Sequence, residues 1–277
     1  MPGGPALGGT VLRAGSEGED GRVPIVGIAG SRGTNRIACL VAWLLHLSGR
    51  FVGLACRGGV CLDRSRVDAG DGTSWEAGRR VLMNHLVEVA VMETSARRIL
   101  QDGLPYDRCD VGVVHDLMGH EELAEHDIQG PDQMRRVMRS QIDVVLSRGA
   151  AVLNAADSEI ADMAGLCDGQ VVLYALDAGN PAMVAHRAAG GRAAFVTDRT
   201  IMLASGAIQT PVGHLPEAQD GCAMDDEAAL AAVAAAWACG VDPDVIVTGV
   251  ATFGSDLDPY SGVAAHAAAR PVTAGAR

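Results

Sequence analysis

The sequence predicts an α/β fold in which a doubly wound, mostly parallel sheet is covered by helices on both faces. Short apolar runs rich in Val, Ile and Leu alternate along the chain with segments whose apolar residues recur at helical spacing. The short runs are continuously apolar, which is typical of strands buried on both faces. Because only 3% of residues are aromatic, aliphatic side chains and alanine are expected to fill the core.

The first elements are a strand, a glycine turn and a helix. Residues 1–22 are rich in glycine and acidic residues and are predicted to form a flexible lead-in. The apolar run at 23–28 predicts a buried strand, and residues 30–33 predict a glycine turn after it. Apolar residues at helical spacing then predict a helix over 36–47.

The same patterns predict the elements of the middle of the chain. Ser74 is expected to cap the second helix, because serine is favoured at helix N-termini. An acidic loop is expected over 119–132. The predicted strands are 51–55, 87–93, 111–114, 150–153 and 171–176, and the predicted helices are 75–85, 96–100, 133–146 and 157–166.

The last part of the chain predicts a small antiparallel β insertion and further helices. Short antiparallel strands are expected within 193–213, followed by an alanine-rich helix over 227–239. Residues 245–253 predict either a helix or a strand. The segment 254–277 is rich in Ala, Gly and Pro and is predicted to be a disordered tail. The pattern therefore predicts one domain over 23–253.

Composition excludes several classes of protein from the prediction. The formal net charge of −12 argues against binding to nucleic acid or to an anionic membrane, both of which attract basic surfaces. No stretch approaches the ~20 apolar residues of a membrane span. The seven cysteines include no CxxC pair, which favours reduced, buried thiols and a cytoplasmic protein.

The glycine turn is similar to a phosphate-binding loop that has lost its key side chains. Backbone N–H groups and the helix dipole favour an anion at such a turn. A P-loop continues with lysine, which reaches the outer phosphates, and then with a hydroxyl residue, which holds magnesium. Here Thr34 stands at the lysine position and Asn35 at the hydroxyl position. All 22 basic residues are arginine, so the chain has no lysine to offer elsewhere.

The segment from Gly21 to the turn resembles the Mur ligase family, and within it the C-terminal ligase domain of cyanophycin synthetases. In that family the turn is Gly-Thr-Asn-Gly-Lys-Thr-Thr, and Gly30 and Gly33 match its two glycines. The resemblance implies a P-loop-type, ATP-binding central domain. Arg32 or Arg36 is the alternative cation for the phosphates. The implied phosphate site, weak or vestigial, consists of Gly30, Ser31, Arg32, Gly33, Thr34, Asn35 and Arg36.

The resemblance continues to about residue 253 and implies a metal site. Glu93, in a Glu-Thr pair, matches a glutamate that helps to hold magnesium in the family. Tyr106-Asp-Arg-Cys-Asp-Val-Gly-Val-Val114 matches a family segment that is followed by Asn and then by Asp-His-Leu-Gly. Asp116 replaces that Asn, and His120-Glu121 replaces the Asp-His pair. The implied metal residues are Glu93, Asp116 and His120.

Other family positions carry residues that cannot perform the same chemistry. Met138 stands where the family has a lysine that supports the catalytic centre, and Ala228 where it has a nucleotide-binding asparagine. Arg98 replaces part of a diglycine, and Ala156 replaces an acid. The family's C-terminal domain is expected to be absent, because the resemblance ends close to the end of the chain.

A second candidate site is the stretch rich in histidine and acidic residues at 115–127. Imidazole and carboxylate groups bind divalent metals, but the spacing matches no metal signature, and a solvated loop is the alternative. The loop is expected at the carboxyl edge of the sheet, where ligand sites of open α/β sheets lie.

Three functions remain open from the sequence. The first is a catalytically impaired Mur ligase-like accessory or remnant protein, which needs no cofactor. The second is an active ligase that uses ATP and Mg²⁺ to join arginine to an aspartate side-chain carboxylate, as the resemblance implies. The third is a non-catalytic regulator that binds a nucleotide or another anion. The expected partners are a second copy of the chain or a cyanophycin-type ligase subunit.

Overall fold

The computed structural model describes residues 22–215 and 224–268, with side chains described as far as residue 265. None of the helices in this part of the chain is long and apolar enough to cross a membrane. The strands are β1 Ile25–Ala29, β2 Val52–Cys56, β3 Gly59–Leu62, β4 Ser65–Asp68, β5 Val89–Thr94, β6 Cys109–Val114, β7 Val145–Asn154, β8 Gln170–Asp177, β9 Arg192–Thr197, β10 Thr200–Ser205 and β11 Ile208–His214. The helices are α1 Thr34–Leu47, α2 Trp75–Leu82, α3 Ala96–Asp102, α4 Pro131–Asp143, α5 Ser158–Ala161, α6 Pro181–Ala188, α7 Asp226–Ala238, α8 Pro243–Thr252 and α9 Ser261–Ala268, with 3₁₀ helices at His120–His126 and Asp162–Leu166.

The described strands form a single sheet in the order β11-β10-β9-β8-β7-β6-β1-β5-β2-β3-β4. The seven strands from β9 to β2 in this order pair in parallel. Antiparallel pairs extend the sheet at both ends, with β10 and β11 at one end and β3 and β4 at the other. The predicted α/β class with a mostly parallel sheet and a small antiparallel region is therefore confirmed.

Helices cover both faces of the sheet and build separate apolar clusters. α1, α7 and α8 contribute to the largest cluster on one face, whereas α4 and α6 contribute to the cluster on the other. In α7 every side chain from Ala228 to Ala236 is fully buried. Alanine lets this helix lie close to both α1 and the strands, since its methyl group needs little space.

β1 lies between β5 and β6 at the centre of the sheet, and this position determines where a site can form. After β1, the chain first forms strands on one side of it, with β2 and then β5, and later adds β6 on the other side. In open α/β sheets, ligands bind beside the carboxyl ends of the strands at such a reversal of strand order. The predicted glycine turn follows β1 at this point of the sheet.

The C-terminal segment differs from its prediction. Disorder was expected from Gly254 onward, but the described part of this segment contains α9 and packs against the domain. Tyr260 is fully buried and Val263 is only 2% exposed. The burial of these apolar side chains stabilises a segment whose composition alone predicts disorder. Residues 269–277 and residues 1–21 of the predicted lead-in lie outside the described part of the chain.

Other differences concern short elements and element ends. The sequence did not predict the hairpin of β3 and β4 or helix α6. The predicted helix 157–166 is instead α5 followed by a 3₁₀ helix, and the predicted helix 75–85 ends at Leu82. Part of the loop predicted at 119–132 is the 3₁₀ helix His120–His126. Residues 245–253, left as a helix or a strand, fall mostly within α8.

Candidate functional site

The glycine turn lies at the carboxyl edge of the sheet, between β1 and the N-terminus of α1. Gly33 is the residue before α1 and has a φ of 65°, a left-handed conformation that favours glycine. Its carbonyl accepts hydrogen bonds from the N–H groups of Arg36 and Ile37 at 2.9 and 3.0 Å. A Cβ atom on Gly33 would lie 3.3 Å from Cβ of Ala228, so close packing against α7 also favours glycine.

The carboxylate of Asp116 lies on the turn and accepts its hydrogen bonds. Asp116 Oδ2 accepts from the backbone N–H of Ser31 at 2.9 Å and from that of Arg32 at 3.1 Å. Asp116 Oδ1 accepts from the Ser31 hydroxyl at 2.6 Å and from the N–H of Met118 at 2.9 Å. The turn therefore holds a negative group supplied by the loop that follows β6.

Thr34, at the lysine position, donates a hydrogen bond to a buried carboxylate. Its hydroxyl donates to Glu93 Oε1 at 2.8 Å, and Thr34 is only 1% exposed. Glu93 Oε2 accepts from the N–H of Arg57 at 2.6 Å, and the Arg57 guanidinium lies 3.6 Å from Oε1. Burial raises the pKa of Glu93, while Arg57 and Thr34 oppose that shift.

Asn35, at the hydroxyl position, joins three parts of the chain. Its Oδ1 accepts from the N–H of Gly58 at 2.8 Å, in the turn between β2 and β3. Its Nδ2 donates to the carbonyls of Val263 and Ala264 in α9, each at 3.4 Å. Asn35 is 7% exposed, so this amide serves internal contacts and is not directed at solvent.

His115, beside Asp116, is buried and held by two neighbours. Its Nδ1 lies 2.7 Å from the hydroxyl of Tyr174, and the two rings stack. Its backbone carbonyl accepts from Asn154 Nδ2 at 3.2 Å. Burial lowers the pKa of His115, although the nearby carboxylates of Asp116, Glu227 and Asp225 oppose the shift. These contacts fix the loop that carries Asp116.

Arg98, which stands where the resembling family has part of a glycine pair, pairs with the carboxylate of Asp71 in a neighbouring loop. Its Nη2 lies 3.0 Å from Asp71 Oδ2, and its Nε donates to the Thr73 hydroxyl at 3.2 Å. Burial of Asp71 raises the pKa of that carboxyl, but the bonds from Thr73 and Arg98 outweigh it and the pKa is lowered. The Gly70–Thr73 segment is thus bound to the chain's own arginine.

The stretch at 115–127 makes local pairs. His120 Nε2 lies 3.8 Å from Glu121, and His126 Nε2 lies 3.6 Å from Glu125. Arg97 donates to Glu125 as well, so this carboxylate already has a cationic partner. Within the described residues, no three His, Cys, Asp or Glu side chains are grouped so that they could hold a metal ion.

The structure brings most of the predicted site residues together. Residues 30–36 of the turn, Glu93 and Asp116 are joined by hydrogen bonds at one edge of the sheet. His120 pairs locally with Glu121 and shares no described contact with Glu93 or Asp116. Sequence reasoning missed the contacts of Asn35 with α9 and of Thr34 with Glu93. No short-range pattern signals them, because each joins residues far apart in the chain.

Met138 and Ala228, which differ from the family residues at their positions, both have apolar surroundings or an apolar side chain in the structure. Met138 is fully buried in the apolar cluster beneath α4, where its thioether packs against aliphatic side chains. Ala228 lies at the start of α7 beside Gly33 and contributes only a methyl group to the surroundings of the turn. Neither position places a polar side chain at the site.

Several groups that a triphosphate or magnesium would contact at this turn already have partners within the protein. A triphosphate needs free N–H groups and a cation at the turn, and magnesium needs an oxygen ligand on the first turn of the helix. Here Asp116 accepts from two of the N–H groups, Thr34 donates to Glu93, and the amide of Asn35 contacts α9. These donors of the turn therefore have acceptors within the protein.

Comparison with known proteins supports the fold and the family resemblance. No family model matches the chain. It is 34% identical over 245 residues to a cyanophycin synthetase of Crocosphaera subtropica, covering 87% of this chain and 28% of that protein. It is 32% identical over 249 residues to the cyanophycin synthetase of a Synechocystis species, covering 88% of this chain and 28% of the relative. The chain therefore spans less than a third of the length of these relatives.

Solved structures with the same fold are Mur ligases. A UDP-N-acetylmuramoyl-L-alanyl-D-glutamate–2,6-diaminopimelate ligase matches with a TM-score of 0.60 at 15% identity, over 84% of this chain and 47% of that one. MurF from Acinetobacter baumannii matches with a TM-score of 0.55 at 17% identity, over 82% of this chain and 45% of that one. Sequence and fold together show that this chain is a Mur ligase-type domain whose curated relatives are cyanophycin synthetases.

Proposed function

We propose that this chain is a Mur ligase-type domain whose nucleotide site has been filled by its own side chains, and that it acts without catalysis as an accessory protein. The observation that carries this proposal is the carboxylate of Asp116 on the N–H groups of Ser31 and Arg32. An anion already lies where a phosphate would have to bind, and no lysine is available to offset its charge.

The neighbouring positions support the same proposal. Thr34 lacks the positive charge of a P-loop lysine, and its hydroxyl satisfies Glu93. Glu93 receives further bonds from Arg57, so the carboxylate that would hold magnesium has protein donors instead. The amide of Asn35 replaces a hydroxyl ligand and is held by Gly58 and α9. A change at one of these positions would remove a single contact to the nucleotide or the metal. Their joint replacement removes the phosphate and metal contacts together.

The proposal is tested by isothermal titration of the protein with Mg·ATP. The expected result is no measurable heat of binding, with the protein folded by circular dichroism throughout. A thermal-shift measurement in the same buffer serves as a second readout, since a ligand at ~100 times its Kd would stabilise the protein by ~2.7 kcal/mol. Micromolar affinity for Mg·ATP in either measurement contradicts the proposal, and binding without turnover would instead indicate a nucleotide-binding regulator.

One observation favours a second candidate function, an ATP-dependent ligase. The Arg32 side chain is exposed on the turn, and no described salt bridge involves it, so it can supply the missing cation. The reaction that the family resemblance implies joins arginine to an aspartate side-chain carboxylate. Phosphate release that requires ATP, an aspartate-rich peptide and free arginine together would establish this function. If no such release is detected, the first proposal stays in place. Release that persists in an Arg32→Ala variant would show that Arg32 is not the required cation.

A non-catalytic accessory domain needs a partner, which we propose to be a second copy of the chain or a cyanophycin-type ligase. Light scattering coupled to gel filtration measures self-association. Co-purification with a cyanophycin synthetase measures binding to a ligase of that type. A monomer that binds no such ligase contradicts this part of the proposal.

We place the protein in the cytoplasm, because the six cysteines of the described chain are free and five of them are buried.

A further inference from the structure

The contact between Asp116 and the glycine turn has the geometry of a bound anion. Both carboxylate oxygens accept two hydrogen bonds, and three of the four donors belong to Ser31 and Arg32. These donors lie in the loop that precedes α1, a helix of 14 residues. The N-terminal end of such a helix carries partial positive charge and attracts negative groups.

A phosphate on this turn would compete with Asp116 in two ways. It would need the same N–H groups of Ser31 and Arg32, which cannot serve two acceptors at full strength. It would also bring a second negative charge within a few ångströms of the carboxylate, which raises its free energy. His115 offsets this charge less than a free imidazole would, because burial lowers the pKa of that imidazole.

We propose that Asp116 is a built-in anion that keeps the turn closed to phosphate ligands. Removal of its charge opens the turn to an oxyanion such as inorganic pyrophosphate. This autoinhibitory contact rests on the proposed function, since it assumes that the unaltered protein binds no nucleotide. It adds that the remaining turn is still competent to bind an anion once the carboxylate is replaced.

The variant Asp116→Asn tests this directly. It keeps the size of the side chain and one oxygen acceptor, but it removes the charge and presents an NH₂ donor to an incoming oxyanion. The matched control is Asp242→Asn, because Asp242 also accepts from a backbone N–H at a helix N-terminus, at 2.9 Å from Asp244 N, and the charge change is the same. A second control, Ser31→Ala, removes one donor and keeps the carboxylate.

Binding is measured by titrating ¹⁵N-labelled protein with inorganic pyrophosphate and following the backbone amide signals at positions 31 and 32. The expected result is saturable shifts of both signals in the Asn variant, with a Kd at least about tenfold lower than in the other three proteins. If Asp116→Asn does not fold, Asp116→Ser carries the same expectation, because serine also removes the charge and retains an acceptor.

The alternative outcomes are separated by the same titrations. A folded Asp116 variant that binds no more tightly than the unaltered protein overturns the inference, and so does an equal gain in Asp242→Asn, which would indicate a general effect of net charge. If the unaltered protein binds Mg·ATP, the proposed function fails. If neither the unaltered protein nor the Asp116 variants bind an anion, this inference alone fails.

Discussion

Replacement of Thr34 by valine is expected to destabilise the protein because it removes a donor from a buried carboxylate. Valine has nearly the shape of threonine, so the substitution deletes the hydroxyl and leaves no cavity. The Thr34 hydroxyl lies 2.8 Å from Glu93 Oε1, and Glu93 is 3% exposed. A hydrogen bond to a charged group contributes ~1.5–3 kcal/mol, so we expect a loss of about 2 kcal/mol in the free energy of unfolding.

The loss is expected to depend on pH. Burial raises the pKa of Glu93, so the folded state holds its proton to a higher pH than the unfolded state and loses stability as the pH rises through that window. The hydrogen bond from Thr34 lowers the pKa of Glu93. Removal of this bond raises that pKa further, so the pH range over which the folded state loses stability extends upward. The penalty of Thr34→Val is therefore larger at pH 8 than at pH 5, where more of Glu93 is protonated.

The assay is urea denaturation at both pH values, followed by circular dichroism. Thr34→Ser keeps the hydroxyl and is the matched control, which is expected to lose much less stability than the valine variant. A loss below about 0.5 kcal/mol at pH 8, the usual range of a surface substitution, would refute this account of Thr34. An equal loss in the serine variant would also refute it, since the effect would then come from the methyl group.

Three further predictions concern contacts around the site. Tyr106→Phe removes the hydroxyl that donates to the fully buried Gln141 at 2.8 Å, and urea denaturation is expected to show a loss of ~1–3 kcal/mol; an unchanged midpoint contradicts this. Gly27→Ala places a methyl group against the Tyr106 hydroxyl and the Gln141 amide, and overpacking is expected to cost ~1–3 kcal/mol in the same assay. The control Gly165→Ala, which has no atom near the added methyl and no left-handed φ, tests the general effect of a glycine replacement. Asn35→Ala removes the bonds to Gly58 and α9, so amide hydrogen exchange in residues 261–265 is expected to accelerate, and exchange that stays unchanged there would show that the amide does not hold α9.

The central part of the fold was predictable because its strands have an unambiguous pattern. β1, β5 and β6 are short apolar runs, and their positions agree with the prediction to within two residues at most ends. The edge hairpin was missed because β4 is mostly exposed and carries no apolar run. α9 was missed because Ala, Gly and Pro predict disorder, while the burial of Tyr260 and Val263 against the domain depends on contacts with distant segments.

The site was predictable in position but not in its contacts. The strand, glycine turn and helix placed residues 30–36 at the edge of the sheet, and the position of Glu93 at the end of a strand placed it nearby. The sequence also indicated which polar groups had been replaced. It could not show that Asp116 accepts from Ser31 and Arg32, because that contact joins residues more than 80 positions apart.

The most direct test of the filled site is a crystal structure of the protein grown with Mg²⁺ and a non-hydrolysable ATP analogue. The account predicts that the carboxylate of Asp116 remains on the N–H groups of Ser31 and Arg32, with no triphosphate on the turn. A triphosphate bound there, with Asp116 displaced and the Arg32 guanidinium on the outer oxygens, would contradict it.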